Sequence, residues 1–350
     1  PRDRLRAAHV DGVRAMACGA RTAGVRRLIH ISAAGAADLP GAFGISKRDA
    51  ETAIQSAGID WIVLRPGLVL APAAFGGSAL LRGLAAFPIA IPAVHAGSLI
   101  QVTSVNDISA AVAAALQPAA PVNLTIDLVA ARALPVAEIL LALRAWMGLA
   151  TAPVISLAPI AGRLAAGGAD ALAWLGWRGP MRSASLEQLR HGVRGDAAEA
   201  ARHLGIVCGS LDEMLAAEPS GAQERWFARL YFLRPVTLAV LAGFWITSGL
   251  IGMFEAPRAV QTLTVAGIAA QPAQALVWLG SVLDVSLGAL TCHRATARWA
   301  LRGTLWLSGA YVLGATVWRA DLWSDPMGPL LKIIPAALLA CVALAILDER

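Results

Sequence analysis

The sequence predicts two architectures in one chain: a parallel α/β domain, then an all-α four-helix transmembrane bundle. Three observations carry this. Helical segments alternate with short β-branched apolar ones over roughly the first 150 residues, the pattern of parallel α/β packing. Pro235–Phe254 holds 20 residues without a charge, enough to cross a hydrocarbon core of about 30 Å. Charge is also unevenly spread: the 116 residues from Pro235 carry 13 charged side chains, against 39 in the first 234. The overall 15% of charged residues and mean hydropathy of +0.63 average two unlike parts.

The elements follow in order. Val13–Ala23 has helical composition and stops at Gly24, a residue suited to a helix end. Residues 26–33 (RRLIHISA) form a short buried strand. Ser46–Ser56 is a helix closed by Ala57 and Gly58, and Asp60–Leu64 is a second strand running into Arg65, Pro66 and Gly67. Thr125–Val129 is a further strand, followed by a helix over Val136–Trp146. These place an α/β part at 1–150, a helical extension and linker at 151–234, and the membrane part at 235–350. Its four spans lie at about 235–254, 273–292, 299–318 and 330–347. Arg302 stands near enough to the start of the third to reach the headgroups.

Basic residues outnumber acidic ones, 29 to 23. No basic run is interleaved with aromatics, which argues against a nucleic-acid partner and for basic loops beside a lipid bilayer. Arg225, Arg229, Arg234, Arg294, Arg298, Arg302 and Arg350 fall on one side of the spans; Arg258, Arg319 and Lys332 fall on the other. The richer side is cytoplasmic, so the soluble domain and both termini are expected there. Cys18, Cys208, Cys292 and Cys341 lack metal spacing and read as reduced, buried thiols. His9 and His30 read as packed or capping residues, and no metal site is expected.

Asp284 stands near the middle of the second span. A carboxylate there must be paired or watered. It is a proton-relay or ligand-binding group, or it hydrogen-bonds Ser281, Ser308 or Tyr311 and locks helices together. Lys332, at the start of the last span, is a candidate partner for it, or else snorkels to the interface.

The series GVRRLIHISAAGA, F-G-I-S-K and DWIVLRPGLVLAP, then VTSVNDISAAVAAAL and GPMRSASLEQLRHGVRGD, resembles the later half of the atypical and extended short-chain dehydrogenase/reductases. The nearest flavour is the NmrA-like and complex I subunit-like NAD(P)-binding group, over about residues 8–220. FLRPVTLAVLAGFWITSGLIG, LGSVLDVSLGAL and DPMGPLLK resemble DoxX-like membrane domains, except that Ile333 stands where that family usually has Asn. The resemblance implies a bacterial architecture that pairs the two, with the chain expected in the inner membrane.

The resemblance implies a Rossmann-like fold, NAD or NADP as cofactor, and a Ser, Tyr and Lys set. Ser32 and Lys47 match the Ser and Lys; Phe43 stands at the Tyr position. Phenylalanine cannot transfer a proton. Lys47 is one of only two lysines in the chain, against 27 arginines. Arg65, Pro66 and Gly67 end a strand where such folds place ligands; alternatively Arg65 is a structural ion-pair partner and Lys47 pairs with Glu51 on its own helix. The glycine-rich phosphate turn that opens such folds is not found before residue 26. The first half of the sheet is therefore expected upstream, with the chain a fragment, or else the chain is a reduced homologue. Function follows as a membrane-anchored NAD(P)-dependent oxidoreductase or epimerase, with a small or quinone-like substrate. Alternatively it is a non-catalytic, nucleotide-dependent redox sensor or assembly factor.

Overall fold

A computed structural model of the chain describes residues 6–35, 42–177 and 179–347. The chain forms two compact units, Pro1–Asp170 with Gly179–Arg229, and Ala171–Arg178 with Leu230–Arg350. The stretch expected as a separate extension, 151–234, is shared between them.

In the first unit, helix α1 is a π-helical turn, Ala7–Asp11, running into Gly12–Thr22. It starts before the expected Val13 because buried Val10 extends its apolar face. Strand β1 is Arg27–Ile31, helix α2 Ala42–Gln55 and strand β2 Asp60–Pro66. Strand β3 (Leu68–Leu70), helix α3 (Gly76–Ala85) and strand β4 (Ile91–Ala93) follow. Strands β5 (Leu99–Ile100) and β6 (Val102–Ser104) lead into helix α4 (Val105–Ala115). Then come β7 (Leu124–Leu128), β8 (Leu134–Pro135), α5 (Val136–Trp146), β9 (Val154–Ser156) and α6 (Pro159–Trp174). The unit ends with α7 (Ser183–His191), α8 (Ala198–Leu204) and α9 (Leu211–Ala217).

The main sheet is parallel, in the order β1-β2-β7, with Ile29 opposite Ile62 and Val63 opposite Thr125. This is the Rossmann-like arrangement the sequence predicts. Ile62, Leu64, Ile126 and Leu128 pack on Ile108 and Ala111 of α4 and on Ala200 of α8. A second core gathers Leu81, Ile91, Val102, Ile139, Leu140 and Met147. The short strands pair β3 with β6, β4 with β9 and β5 with β8. At two or three residues each, they are too short for an alternating pattern to announce them.

Gly67 joins β2 to β3. Its N–H donates to the Leu128 carbonyl (3.1 Å) and to Thr103 Oγ1 (2.8 Å). A Cβ there would lie 2.3 Å from the Gln101 carbonyl oxygen, so the approach of two backbones requires glycine.

The second unit is helical: α10 (Ala222–Phe254) from Leu230 onward, then α11 (Ala256–Val265), α12 (Ala270–Cys292), α13 (Arg294–Trp318) and α14 (Ile333–Ala345). Helix α10 runs through Pro235, where the sequence sets the start of its span. At 1.5 Å per residue its 33 residues reach about 50 Å. Helices α10 and α12 are long and apolar enough to cross a bilayer. Helix α13 carries Arg294, Arg298 and Arg302 in its first turns, and α14 has 13 residues. Leu238, Leu241, Ala297, Leu301, Ala340 and Leu347 form the bundle core, with Trp177 packed on it.

All four cysteines are free. Cys208 is buried as expected, whereas Cys18 and Cys341 are exposed; each lies on a helix face that its own unit leaves uncovered.

Gly67→Ala will destabilise the first unit by about 1–3 kcal/mol, the usual cost of overpacking, as read by chemical denaturation.

Candidate functional site

The site is built at the carboxyl ends of β1 and β2 and on α2. Strand β1 delivers Ser32, whose N–H donates to the Leu64 carbonyl (2.7 Å). Strand β2 delivers Arg65 and Pro66, and the Pro66 carbonyl accepts from Ala34 N–H (2.8 Å). Helix α2 delivers Phe43, Ser46, Lys47 and Glu51, spaced at roughly one and two turns on one face.

Glu51 is the centre of this group, and its exposure is only 4%. Ser32 Oγ donates to Oε1 (2.5 Å), and Arg65 grips both carboxylate oxygens, Nε to Oε1 at 3.0 Å and Nη2 to Oε2 at 2.5 Å. Burial pushes the Glu51 carboxyl up; the hydrogen bonds from Arg65 and Ser32 outweigh it and hold the group below its ordinary 4.5. The Arg65 guanidinium is correspondingly held above its ordinary range, first by its hydrogen bonds to Glu51.

Of the residues the sequence singles out, Ser32 and Arg65 are thus joined through Glu51, the carboxylate that helical spacing offers to Lys47. The ion pair forms with Arg65. Pro66 is buried in the sheet and Gly67 is wedged against Gln101. Lys47 is half-buried, with Nζ 5.9 Å from the centre of the Phe43 ring. Burial pushes its ammonium below the usual lysine range, while Glu51 pulls the other way.

His9 Nδ1 lies 3.1 Å from Ser46 Oγ, which donates to the Phe43 carbonyl (2.8 Å). His30 Nε2 is buried without a hydrogen-bond partner among the described residues. Burial, then the charge of Lys47, lowers both histidines, which favours the neutral rings. Among the described residues no group of three or more His, Cys, Asp or Glu could hold a metal ion.

A separate cavity of about 220 Å³ is lined by Ala71, Arg82, Ser104, Asp107, Trp146 and Glu218, among others, and by none of the predicted site residues. Buried Arg82 stacks on Trp146, 4.9 Å from its ring centre, and donates to the Ala71 and Pro72 carbonyls. Nothing in the spacing of Arg82 sets it apart from the many other arginines of this chain.

In the bundle, Asp284 is buried on α12. Ser248 of α10 donates to Oδ2 (3.1 Å) and Tyr311 of α13 donates to Oδ1 (2.8 Å). Tyr311 is among the partners the sequence offers; Ser248 is not. Ser281, three residues before Asp284 on α12, and Ser308 of α13 are also buried, and Ser308 Oγ has no partner among the described residues. Lys332 is exposed at the start of α14, while both Asp284 oxygens are held by hydroxyls. Cβ atoms on Gly249 and Gly280 would meet Ser281 O at 2.4 Å and Tyr311 Oη at 2.9 Å. Glycine thus lets the three helices close around the carboxylate.

Residues 242–341 match the model of the DoxX-like family, so the C-terminal unit carries a DoxX-like domain. No curated protein matches the chain. Among solved structures, the chain is similar to a UDP-glucose 4-epimerase with UDP-glucose from Thermotoga maritima. The TM-score is 0.46 at 17% identity, covering 62% of this chain and 70% of the other. It is similar to the Bordetella bronchiseptica enzyme WbmG in complex with NAD, with a TM-score of 0.44 at 16% identity, over 60% and 63%. It is also similar to an NADPH-dependent quinone oxidoreductase complexed with NADPH from Escherichia coli, with a TM-score of 0.47 at 17% identity, over 59% and 70%.

Glu51→Ala strands a partly buried guanidinium and will destabilise the first unit by about 3–5 kcal/mol, measured by denaturation. Because the Glu51 pKa is lowered on folding, its contribution is complete above pH 4.5 and is lost as pH falls through its folded value. Glu51→Gln will flatten that acid limb of the stability profile. In the bundle, Asp284→Leu leaves two hydroxyls unpaired and will lower stability in detergent by about 1–2 kcal/mol, with Asp284→Asn closer to wild type.

Proposed function

We propose that this chain is a membrane-anchored NAD(P)-binding protein of the atypical short-chain dehydrogenase class that binds and reports a nucleotide rather than turning over a substrate. One observation carries the second half of the reading: the hydroxyl that would assist catalysis, Ser32 Oγ, is committed to Glu51, beside a phenylalanine at the tyrosine position. No described group at that position can supply a phenolic proton.

For the cofactor, the fit lies on the nicotinamide side alone. Ser32, Arg65, Pro66 and Gly67 are engaged with one another and with the sheet, which leaves Lys47 as the group to hold the nicotinamide ribose hydroxyls. Its rarity among arginines favours a requirement for a compact, strongly hydrated ammonium. A bound nicotinamide would supply hydride chemistry; this chain's residues would bind and orient it. The DoxX-like unit, read as four spans with the first unit and both termini cytoplasmic, would hold this site at the inner membrane, within reach of quinone-like or lipid partners.

The test is titration of the detergent-purified protein with NADH and NADPH, following tryptophan quenching and energy transfer. Saturable binding that weakens at least about tenfold, or about 1.4 kcal/mol, in Lys47→Ala is expected. Absence of binding overturns the reading. Phe43→Tyr is expected to leave turnover at background; new reductase activity would instead mark a decayed enzyme.

A further inference from the structure

The cavity of about 220 Å³ beside Arg82 lies wholly within the first unit, apart from the residues that surround Glu51. It sits where β3 and β6 end side by side: these strands run parallel, with Leu70 opposite Ser104, and Ala71 and Ser104 both line it. Parallel α/β folds place ligands beyond such strand ends. Helix α3 contributes Arg82, α5 contributes Leu143 and Trp146, and α9 contributes Glu213 and Met214. Trp146 is fixed at two points: its Nε1 donates to the Glu218 carbonyl (2.7 Å), and its own carbonyl accepts from Ser220 Oγ (2.5 Å).

Arg82 is 4% exposed, yet its hydrogen-bond partners among the described residues are neutral. Nη1 donates to the Pro72 carbonyl (3.0 Å) and Nη2 to the Ala71 carbonyl (2.6 Å), while Nε is buried without a partner among the described residues. A guanidinium carries five N–H donors, so two carbonyls leave it under-used and its charge without an anion in contact. Burial pushes it below the ordinary arginine range, and Glu224 and Glu218 pull the other way from beyond contact distance. A buried charge without a counter-charge is costly. An anionic group in the adjoining cavity offsets that cost through charge-assisted hydrogen bonds.

The other charges on the cavity wall have the opposite sign. Asp107, Glu213 and Glu218 line it together with Arg82, the one cation there among the described residues. That balance disfavours a polyanion such as a phosphate ester and calls for a ligand carrying both signs. Asp107 Oδ2 is spent on a capping box, accepting from Ser104 N–H (3.2 Å), whereas Glu213 and Glu218 stand near the two ends of α9. Leu70, Leu143, Met214 and Leu215 supply apolar wall. We propose that this cavity binds an aliphatic α-amino acid, with its carboxylate on Arg82, its ammonium on Glu213 and Glu218, and its side chain against Leu143, Met214 and Leu215. The size agrees, since pockets for drug-sized ligands begin at about 300 Å³. The site is separate from Lys47 and does not depend on the nicotinamide reading.

The experiment titrates the detergent-purified full chain with L-leucine by calorimetry and by thermal unfolding. Two half-molecules run in parallel: 4-methylpentanoate, which lacks the ammonium, and isopentylamine, which lacks the carboxylate. Saturable binding of L-leucine is expected, with each half-molecule at least about tenfold weaker. Replacing Arg82 would also release the Ala71 and Pro72 carbonyls, so two milder variants probe the site. Ala217→Phe fills the cavity from an exposed position and is expected to abolish binding. Glu218→Gln keeps the carbonyl that Trp146 uses and is expected to weaken binding at least about tenfold. Both should retain the wild-type unfolding transition. Equal affinity for 4-methylpentanoate would remove the two glutamates as an ammonium site, and equal affinity for isopentylamine would remove Arg82 as a carboxylate site; either overturns the proposal. It is overturned as well if millimolar L-leucine gives neither heat nor a rise in unfolding temperature, or if either variant binds as the wild type does.

Discussion

A carboxylate that leaves water must find cations or donors inside the protein, and Glu51 finds both where two parallel strands end. Arg65 comes from β2, Ser32 from the end of β1, and Glu51 from the helix that connects these strands. One buried group therefore ties three consecutive pieces of the first unit together. A buried pair of this kind contributes little compared with a well-packed apolar substitute, but breaking it by removing one partner costs several kcal/mol. The arrangement thus fixes geometry more than it adds stability. It also shapes the chemistry, because the Ser32 hydroxyl and the Arg65 guanidinium both direct their donors to the Glu51 carboxylate.

The same requirement is met differently in the bundle. Asp284 has no described cation beside it; its oxygens accept from Ser248 and Tyr311, contributed by the helices on either side. Between apolar helices such hydrogen bonds hold the helices together with modest energy each. The glycines around them set the distance. Gly249, Gly252 and Gly280 allow backbone and side chain to approach at separations that a Cβ would forbid. Packing and polar satisfaction are thus one design at this level of the bundle.

The principal strands and helices of the first unit were legible because their patterns are long enough to repeat. The helix over Val136–Trp146 has the boundaries the sequence suggests, and β1, β2 and β7 shift by only a residue or two. The short pairs β3–β6, β4–β9 and β5–β8 were not legible, since two or three residues show no period. Helix α11 was missed as well: Ala256–Val265 is only modestly apolar and lies between two spans, where a loop is the simpler expectation. The uneven exposure of the cysteines was hidden for a related reason, because burial belongs to a helix face and not to a residue type.

The sequence by itself determined the two-part character of this protein: a charge-bearing parallel α/β unit and a charge-poor helical one, with Asp284 alone in the middle of a long apolar helix. It also determined what chemistry is absent at one position, since Phe43 has no ionisable group whatever surrounds it. Only the tertiary structure decided which partner each polar group takes. Glu51 stands one turn from Lys47 on its own helix, and that spacing made a local pair plausible. Arg65, fourteen residues away in sequence, takes the carboxylate instead, because parallel pairing of β1 and β2 carries it to the same strand ends, where a planar guanidinium can bind both oxygens. Local spacing names candidates; the register of the strands chooses among them.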